Sequence, residues 1–173
     1  ANNVAELDLT KYLQKGTNKL AVQVFRWSDG SYIECQDMFR MSGIFRDVML
    51  YNVPKSAIRD HVITSSLDSK SGYTRGKMTV NLTFDNRDGM AGARDIAISL
   101  TKPNGNKEAE KKIKKKFKSS QKEIKKAVTL SVNDILAWTA ETPNLYTVSI
   151  VQSDNGKEEM AFSTKYGFRT IDI

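Results

Sequence analysis

From Arg59 onward the chain alternates apolar and polar residues in short runs: Arg59 to Leu67, Lys77 to Asp85, Asp95 to Thr101, Val128 to Val132, Tyr146 to Gln152 and Glu159 to Phe168. Alternation of this kind puts every second side chain on one face of a pleated strand. The breaks carry Ser-Gly, Asp-Gly, Pro-Asn-Gly and Asp-Asn-Gly, residues suited to the backbone angles of a reversal. About seven short strands in about 120 residues predict an all-β fold, an immunoglobulin-like β-sandwich. No strand–helix alternation points to a parallel sheet. Between the third and fourth runs, Ile113, Phe117, Ile124 and Val128 fit one face of a helix, while Ala109, Ile113 and Phe117 also share one side of a strand. Ser119-Ser120 would interrupt a helix, so this stretch is read as a hairpin of two strands turning near Ser119.

Upstream the pattern is different. Val4 to Leu13 reads as a capped turn of helix leaving through Gly16. Leu20 to Phe25 is rich in β-branched residues and reads as a strand, Ser28-Asp29-Gly30-Ser31 as a hairpin turn, and Asp47 to Val53 as a second strand. Pro54 breaks the pattern, which places a domain boundary there: residues 1–54 and 55–173.

Composition changes this picture little. The length suits one core or two small ones. No run reaches the roughly 18 apolar residues needed to span a bilayer, and no basic-then-apolar signal opens the chain. The reading is a soluble protein, with cytoplasm and periplasm both open. The formal charge of +7 does not come from residues 1–53, which hold six basic and six acidic side chains. It comes chiefly from Lys102 to Lys126, with eleven lysines against three glutamates. Nucleic-acid readers combine arginine with aromatic platforms, and this run has only Phe117. A solvated lysine face is the expectation, with neither nucleic acid nor membrane as a partner. The alternative is a stand-alone binding module whose lysine-rich face docks an anionic partner.

Chemistry is sparse. Cys35 is the only cysteine and His61 the only histidine. No intrachain disulfide can form, and a nucleophile–base arrangement would have to use that one imidazole. No HxxxH, CxxC, EF-hand spacing or glycine-rich phosphate loop is present. The densest chemistry lies from Arg26 to Val48, where Asp29, Glu34, Asp37 and Asp47 sit among four aromatic residues and three arginines. Asp29 is explained by its turn, and Asp47 by an ion pair with Arg46. Glu34 and Asp37 lie near Trp27, Tyr32 and Phe39. Carboxylates accept hydroxyl hydrogen bonds and ring faces cover C–H surfaces, a combination that suits a sugar. A packed loop with an internal Arg–Asp network accounts for the same residues.

Three blocks carry a resemblance. The first is Arg26-Trp27-Ser28-Asp29-Gly30-Ser31-Tyr32, with Gln36-Asp37-Met38 and Arg40-Met41-Ser42-Gly43-Ile44-Phe45-Arg46-Asp47-Val48. The second is Trp138-Thr139-Ala140-Glu141-Thr142-Pro143-Asn144-Leu145-Tyr146, and the third is Gly167-Phe168-Arg169. Together they resemble the β-galactosidases of glycoside hydrolase family 2, from the end of the sugar-binding jelly-roll domain through the immunoglobulin-like domain. Similarity is weak from about Ser65 to Asn133.

The resemblance implies a jelly roll, a sandwich and a TIM barrel in one enzyme that hydrolyses terminal β-galactosides with retention. Retention needs two carboxyl groups about 5 Å apart. The family carries both, as glutamates, on the barrel, so no catalytic residue is expected in this chain. Asp37 matches the family's aspartate at the barrel mouth, a contact for galactose hydroxyls and for sodium; hard cations and hydroxyls both favour anionic oxygen. Cys35 stands where many relatives have an acid and Phe39 where tryptophan is common. No cofactor is implied for this chain, while the whole enzyme has room for sodium and magnesium and is expected to be a homo-oligomer. Its partners here are the galactoside and the downstream barrel.

A partial, galactose-binding-like jelly-roll segment would keep unpaired edges, so the sandwich is expected to be the stable unit. Limited proteolysis should spare residues 70–160 and cut within 1–53; loss of the former with survival of the latter would contradict this.

Overall fold

The computed structural model describes residues 5–33, 43–87, 89 and 91–170. Two compact units make up the chain, Ala1–Tyr51 and Asn52–Ile173.

The second unit is built from seven antiparallel strands: β1 Ser56–Leu67, β2 Gly76–Asn86, β3 Gly92–Thr101, β4 Lys107–Phe117, β5 Glu123–Val132, β6 Tyr146–Asp154 and β7 Lys157–Tyr166. They form a three-stranded sheet, β1-β2-β5, facing a four-stranded sheet, β4-β3-β6-β7. This is an immunoglobulin-like sandwich in which the fourth strand has joined the second sheet instead of extending the first.

Period-two burial sets the register. Along β2, Met78, Val80, Leu82 and Phe84 are fully buried, and β6 buries Tyr146, Val148 and Ile150 in the same way. Ile96, Ile98 and Leu100 of β3 and Val128, Leu130 and Val132 of β5 belong to the same buried core. Phe84 and Phe117 meet edge to face at 5.7 Å, joining the two sheets. In β1 the register shifts between Ile58 and Asp60. Beyond that bulge His61, Ile63, Ser65 and Leu67 pair with Leu82, Val80, Met78 and Gly76, so the inward face is kept after the extra residue.

The predicted strands of this unit are present, with one correction. The stretch 107–128 does form two strands with a turn after Phe117, but they are not a hairpin: β4 pairs with β3, and β5 pairs with β2. The connection crosses from one sheet to the other. Phe117 and Ile124 are both buried on either side of it, and Ser120 takes a left-handed backbone angle, φ 69°.

The seams where the sheets meet are closed by side chains. On one side Lys111 Nζ donates to the Thr129 carbonyl at 3.1 Å, and the Asn133 N–H donates to Glu108 Oε1 at 3.2 Å. On the other, His61 lies 5.0 Å from the Phe162 ring and Tyr166 Oη donates to Ser65 Oγ at 2.8 Å. A tyrosine corner completes the frame. Tyr146 opens β6 fully buried, and its hydroxyl accepts from the Leu136 N–H at 2.9 Å, ten residues upstream.

In the first unit the expectations fare differently. A 3-10 turn covers Thr10–Tyr12, with the Thr10 N–H bonded to Asp8 Oδ1, and Gly16 has φ 99°. Leu20 to Phe25 and Asp47 to Val53 are not strands. A strand exists as part of a ladder, and neither run is hydrogen-bonded to a partner strand here. Leu20, Val22, Val24 and Phe25 are accordingly exposed. Asp29-Gly30 is no hairpin turn either: Asp29–Ile33 is a short helix, α1, with Asp29 at its first turn, where a carboxylate is favourable.

Tyr146→Phe removes the acceptor for the Leu136 N–H. It should lower stability by about 1 kcal/mol, read as a lower urea midpoint with an unchanged m-value.

Candidate functional site

Asp37, the one residue expected to touch sugar and cation, lies outside the described residues, as do Glu34, Cys35, Phe39 and Arg40. Of the loop's other groups, Asp29 sits in α1. Arg46 lies over the Phe45 ring at 5.7 Å, and among the described residues it makes no ion pair with Asp47. Arg26 covers Trp27 in the same fashion at 5.6 Å. The bland account of Asp47 as the partner of Arg46 is therefore replaced by guanidinium–ring contacts within the loop.

His61 is half-buried on β1 against Phe162. Among the described residues no group of three or more His, Cys, Asp or Glu side chains gathers as metal ligands would. Among the described residues two ionisable groups are moved from their ordinary values. The hydrogen bond to Glu108 raises Lys102, and the hydrogen bond from Lys107 lowers Glu110. Both shifts deepen the charged state; neither poises a proton near neutrality, as acid–base catalysis requires.

The two later motif blocks, in contrast, come together. Trp138 pairs with Pro143 in an isolated bridge, and its N–H donates to the Phe168 carbonyl at 2.8 Å. Asn144 Nδ2 donates to the Ala137 carbonyl at 3.0 Å, tying the loop onto itself. Gly167 lies directly against the indole: a Cβ there would stand 2.8 Å from Trp138 Cβ and 2.9 Å from Cγ. The Arg169 guanidinium stands 5.6 Å from the ring centroid. Below, Phe168 is fully buried and packs edge to face on Tyr146 at 4.9 Å and on Tyr166 at 5.2 Å. Trp138, Pro143, Asn144, Tyr146, Gly167, Phe168 and Arg169 thus each have a packing or bonding task, while Leu145 is exposed. A shallow groove of about 600 Å³ runs beside this cluster, between Ile63, Ser65, Trp138 and Leu145. It offers hydroxyls, an indole and two cations, Lys165 and Arg169, but no base beside a nucleophile. The contacts of the cluster hold the loop against the strand end.

A second polar cluster fixes the start of β1. Gln152 is fully buried, and its Nε2 donates to the Ser56 carbonyl at 2.6 Å and to Glu159 at 3.1 Å. Ser56 Oγ donates to Asn86 at 2.7 Å, and Arg94 pairs with Glu159 at 2.7 Å. Sequence reading missed both Tyr146 as a corner and Gln152 as a clasp. The first had a signal, a tyrosine opening a strand after a long loop; a glutamine continuing a buried row had none.

Comparison with known proteins adds the following. The model described as "Glycosyl hydrolases family 2, sugar binding domain" matches residues 1–54, and "Glycosyl hydrolases family 2" matches residues 56–169. The chain is 37% identical over 176 residues to a β-galactosidase of Priestia megaterium, covering 98% of this chain and 16% of that protein. It is 37% identical over 174 residues to a β-galactosidase of Photobacterium profundum, with the same coverage. The chain therefore spans about one sixth of the length of these curated relatives. In structure it is similar to a glycosyl hydrolase family 2 member from Bacteroides cellulosilyticus, with TM-score 0.63 and 15% identity over 69% of this chain and 16% of the other. A β-glucuronidase of Bacteroides uniformis gives 0.59 and 14% over 67% and 14%. A structure described as a putative β-galactosidase of Bacteroides fragilis gives 0.61 and 18% over 70% and 19%, so the fold alone does not choose between the two enzyme names.

Gly167→Ala should drive a methyl group into Trp138 and cost about 1–3 kcal/mol, with altered indole fluorescence. Trp138→Gly in the same chain, which takes away the Cβ together with the indole, should remove most of that added cost, a non-additive pair in denaturant titration.

Proposed function

The chain belongs to glycosyl hydrolase family 2, and from this premise we propose that it is part of a retaining β-galactosidase acting on terminal β-D-galactosides. Its share is scaffold plus one carboxylate at the rim of the active site. The reading is carried by one observation: identity of 37% to β-galactosidases runs across 98% of the chain, through both family matches. The motif around Gln36-Asp37-Met38 supports the finer assignment, because it resembles the galactosidase pattern and not that of glucuronidases or mannosidases.

In this reading the reacting atoms are handled elsewhere. Two glutamates of a barrel, about 5–5.5 Å apart, serve as nucleophile and acid/base. Asp37 reaches the same site without proton duty: its anionic oxygens accept galactose hydroxyls and favour a hard cation, sodium. Such contacts orient the glycone before the bond breaks. Residues 1–54 then form the end of a sugar-binding jelly roll, and 55–173 the sandwich that joins it to the barrel. Exposed, strand-like Leu20 to Phe25 supports this, since apolar alternating residues gain only by pairing within a larger sheet. The parent is a homo-oligomer in this reading, and magnesium, like sodium, belongs to it and not to the sandwich.

The purified 173-residue chain should show no turnover of an aryl β-galactoside above a blank; measurable hydrolysis would sink the scaffold assignment. In the longer enzyme, Asp37→Asn should lower kcat/KM by about tenfold or more, the loss expected for hydrogen bonds to a charged group, and weaken the response to added sodium. A variant with wild-type kinetics and sodium response would refute the role of Asp37.

A further inference from the structure

The whole excess charge of this protein sits on one edge of the sandwich. Residues 107–126 hold ten lysines and three glutamates, an excess equal to the +7 of the entire chain. The fold turns that stretch into the free edge of β4, the sheet-crossing turn, and the start of β5, itself the edge of the other sheet. Lys112, Lys116, Lys118, Lys122 and Lys126 are all exposed. None of them makes an ion pair among the described residues, where Lys107, Lys114 and Lys125 take Glu110, Asp95 and Glu123.

Edge protection explains only part of this. Charges on an edge strand discourage pairing with another chain, and inward-facing lysines do so well. Lys111, on the inner face opposite Ile98, has this task and closes the seam as well. The same sandwich has two further edge strands, and they are protected without a run of one sign. β1 carries Arg59, Asp60 and His61; β7 carries Lys157, Glu158, Glu159 and Lys165. The lysine excess also continues past the strands, through Lys118 and Lys122 of the turn. One-sided charge of this kind raises the local concentration of anions and steers a charged partner.

We propose that the β4–β5 edge is a docking surface for an acidic polysaccharide, bearing carboxylate or sulfate groups along its chain. The surface chemistry selects that class. Apart from lysines and glutamates the edge exposes small side chains, polar but for Ala127; Phe117, Ile124 and Val128 are buried and Ile113 is partly so. It has no arginine of its own for bidentate phosphate contacts, the neighbouring Arg59 being held by Glu123 at 3.0 Å, and no exposed ring for base stacking. It has no large exposed apolar residue to enter a bilayer. Lysine is a strongly hydrated point charge on a flexible stem, suited to spaced anionic groups on a wet, mobile glycan. The choice of a glycan rests in part on the galactosidase reading above. The docking event does not, because it needs no turnover.

The test is binding of the 173-residue chain at low salt, by affinity electrophoresis or calorimetry, to polygalacturonate, a sulfated glycosaminoglycan, a neutral galactan, a duplex DNA oligomer and phosphatidylserine vesicles. Binding to one or both acidic polysaccharides and not to the neutral one is expected, and which of the two binds identifies carboxylate or sulfate as the ligand group. Raising salt from about 50 to 200 mM should weaken it by about tenfold or more. Replacing Lys112, Lys116, Lys118, Lys122 and Lys126 by Gln should abolish it, while a set of equal size elsewhere, Lys70, Lys77, Lys157, Lys165 and Lys19 to Gln, should leave it within about twofold. Circular dichroism and thermal melts confirm folding of both, and the salt series on the unaltered chain stands if either misfolds. Tighter binding to DNA or vesicles overturns the polysaccharide assignment. Binding to none of the five, or equal loss in both lysine sets, overturns the docking surface. An inactive parent enzyme whose sandwich still binds would fault the galactosidase reading alone.

Discussion

A pleated strand with one dry face and one wet face cannot slip by a single residue without turning its apolar set toward water. The rest of the sandwich depends on that constraint. Met78, Val80, Leu82 and Phe84 hold β2 in place, and β2 in turn holds β1 and β5 on either side of it. β6, through Tyr146, Val148 and Ile150, does the same between β3 and β7. Where the constraint would have been violated, in β1, the bulge after Ile58 absorbs one residue and returns the inward row to register. Gln152 shows how firmly the row is enforced: it continues the buried face of β6, and its amide is held there by Ser56 and Glu159.

Much of this was legible in the chain because alternation and turn residues are local. Gly, Pro and Asn between the runs mark where strands stop, and β-branched residues mark where they continue. What alternation does not carry is the identity of a strand's neighbour. Phe117 and Ile124, separated by a short turn, look like the two arms of a hairpin, yet each joins a different sheet. The same limit explains Leu20 to Phe25, where strand chemistry is present and no ladder accompanies it. Asp29-Gly30 misled for another reason: the pair tolerates a tight turn, but an aspartate is equally at home in the first turn of a helix. The proposed role of Asp37 was never legible from pattern at all, since a carboxylate among aromatic rings fits a packed loop as well as a sugar site. It rests on the resemblance of the residues around it.

The motif residues divide by task. Trp138, Tyr146, Gly167 and Phe168 look like signatures of chemistry when read as a string, since tryptophan and tyrosine so often line sugar sites. In the fold they are packed against each other and against backbone, and their spacing records the distance between a loop and the strand end it clamps. A family signature in a scaffold domain can therefore report packing alone, and only residue-by-residue geometry separates that from a binding role.

The two strands at the His61–Phe162 seam run in the same direction: Ser65 lies by Tyr166 as His61 lies by Phe162. β1 therefore begins at one pole of the sandwich and β7 ends at the other, about 33 Å apart for ten residues of extended chain. A force applied through residues 55 and 167 would load these strands in shear, against whole sheets at once, and would not peel them open one bond at a time. The domain is thus a strut as much as a spacer. It can transmit the position of what lies on one side of it to what lies on the other.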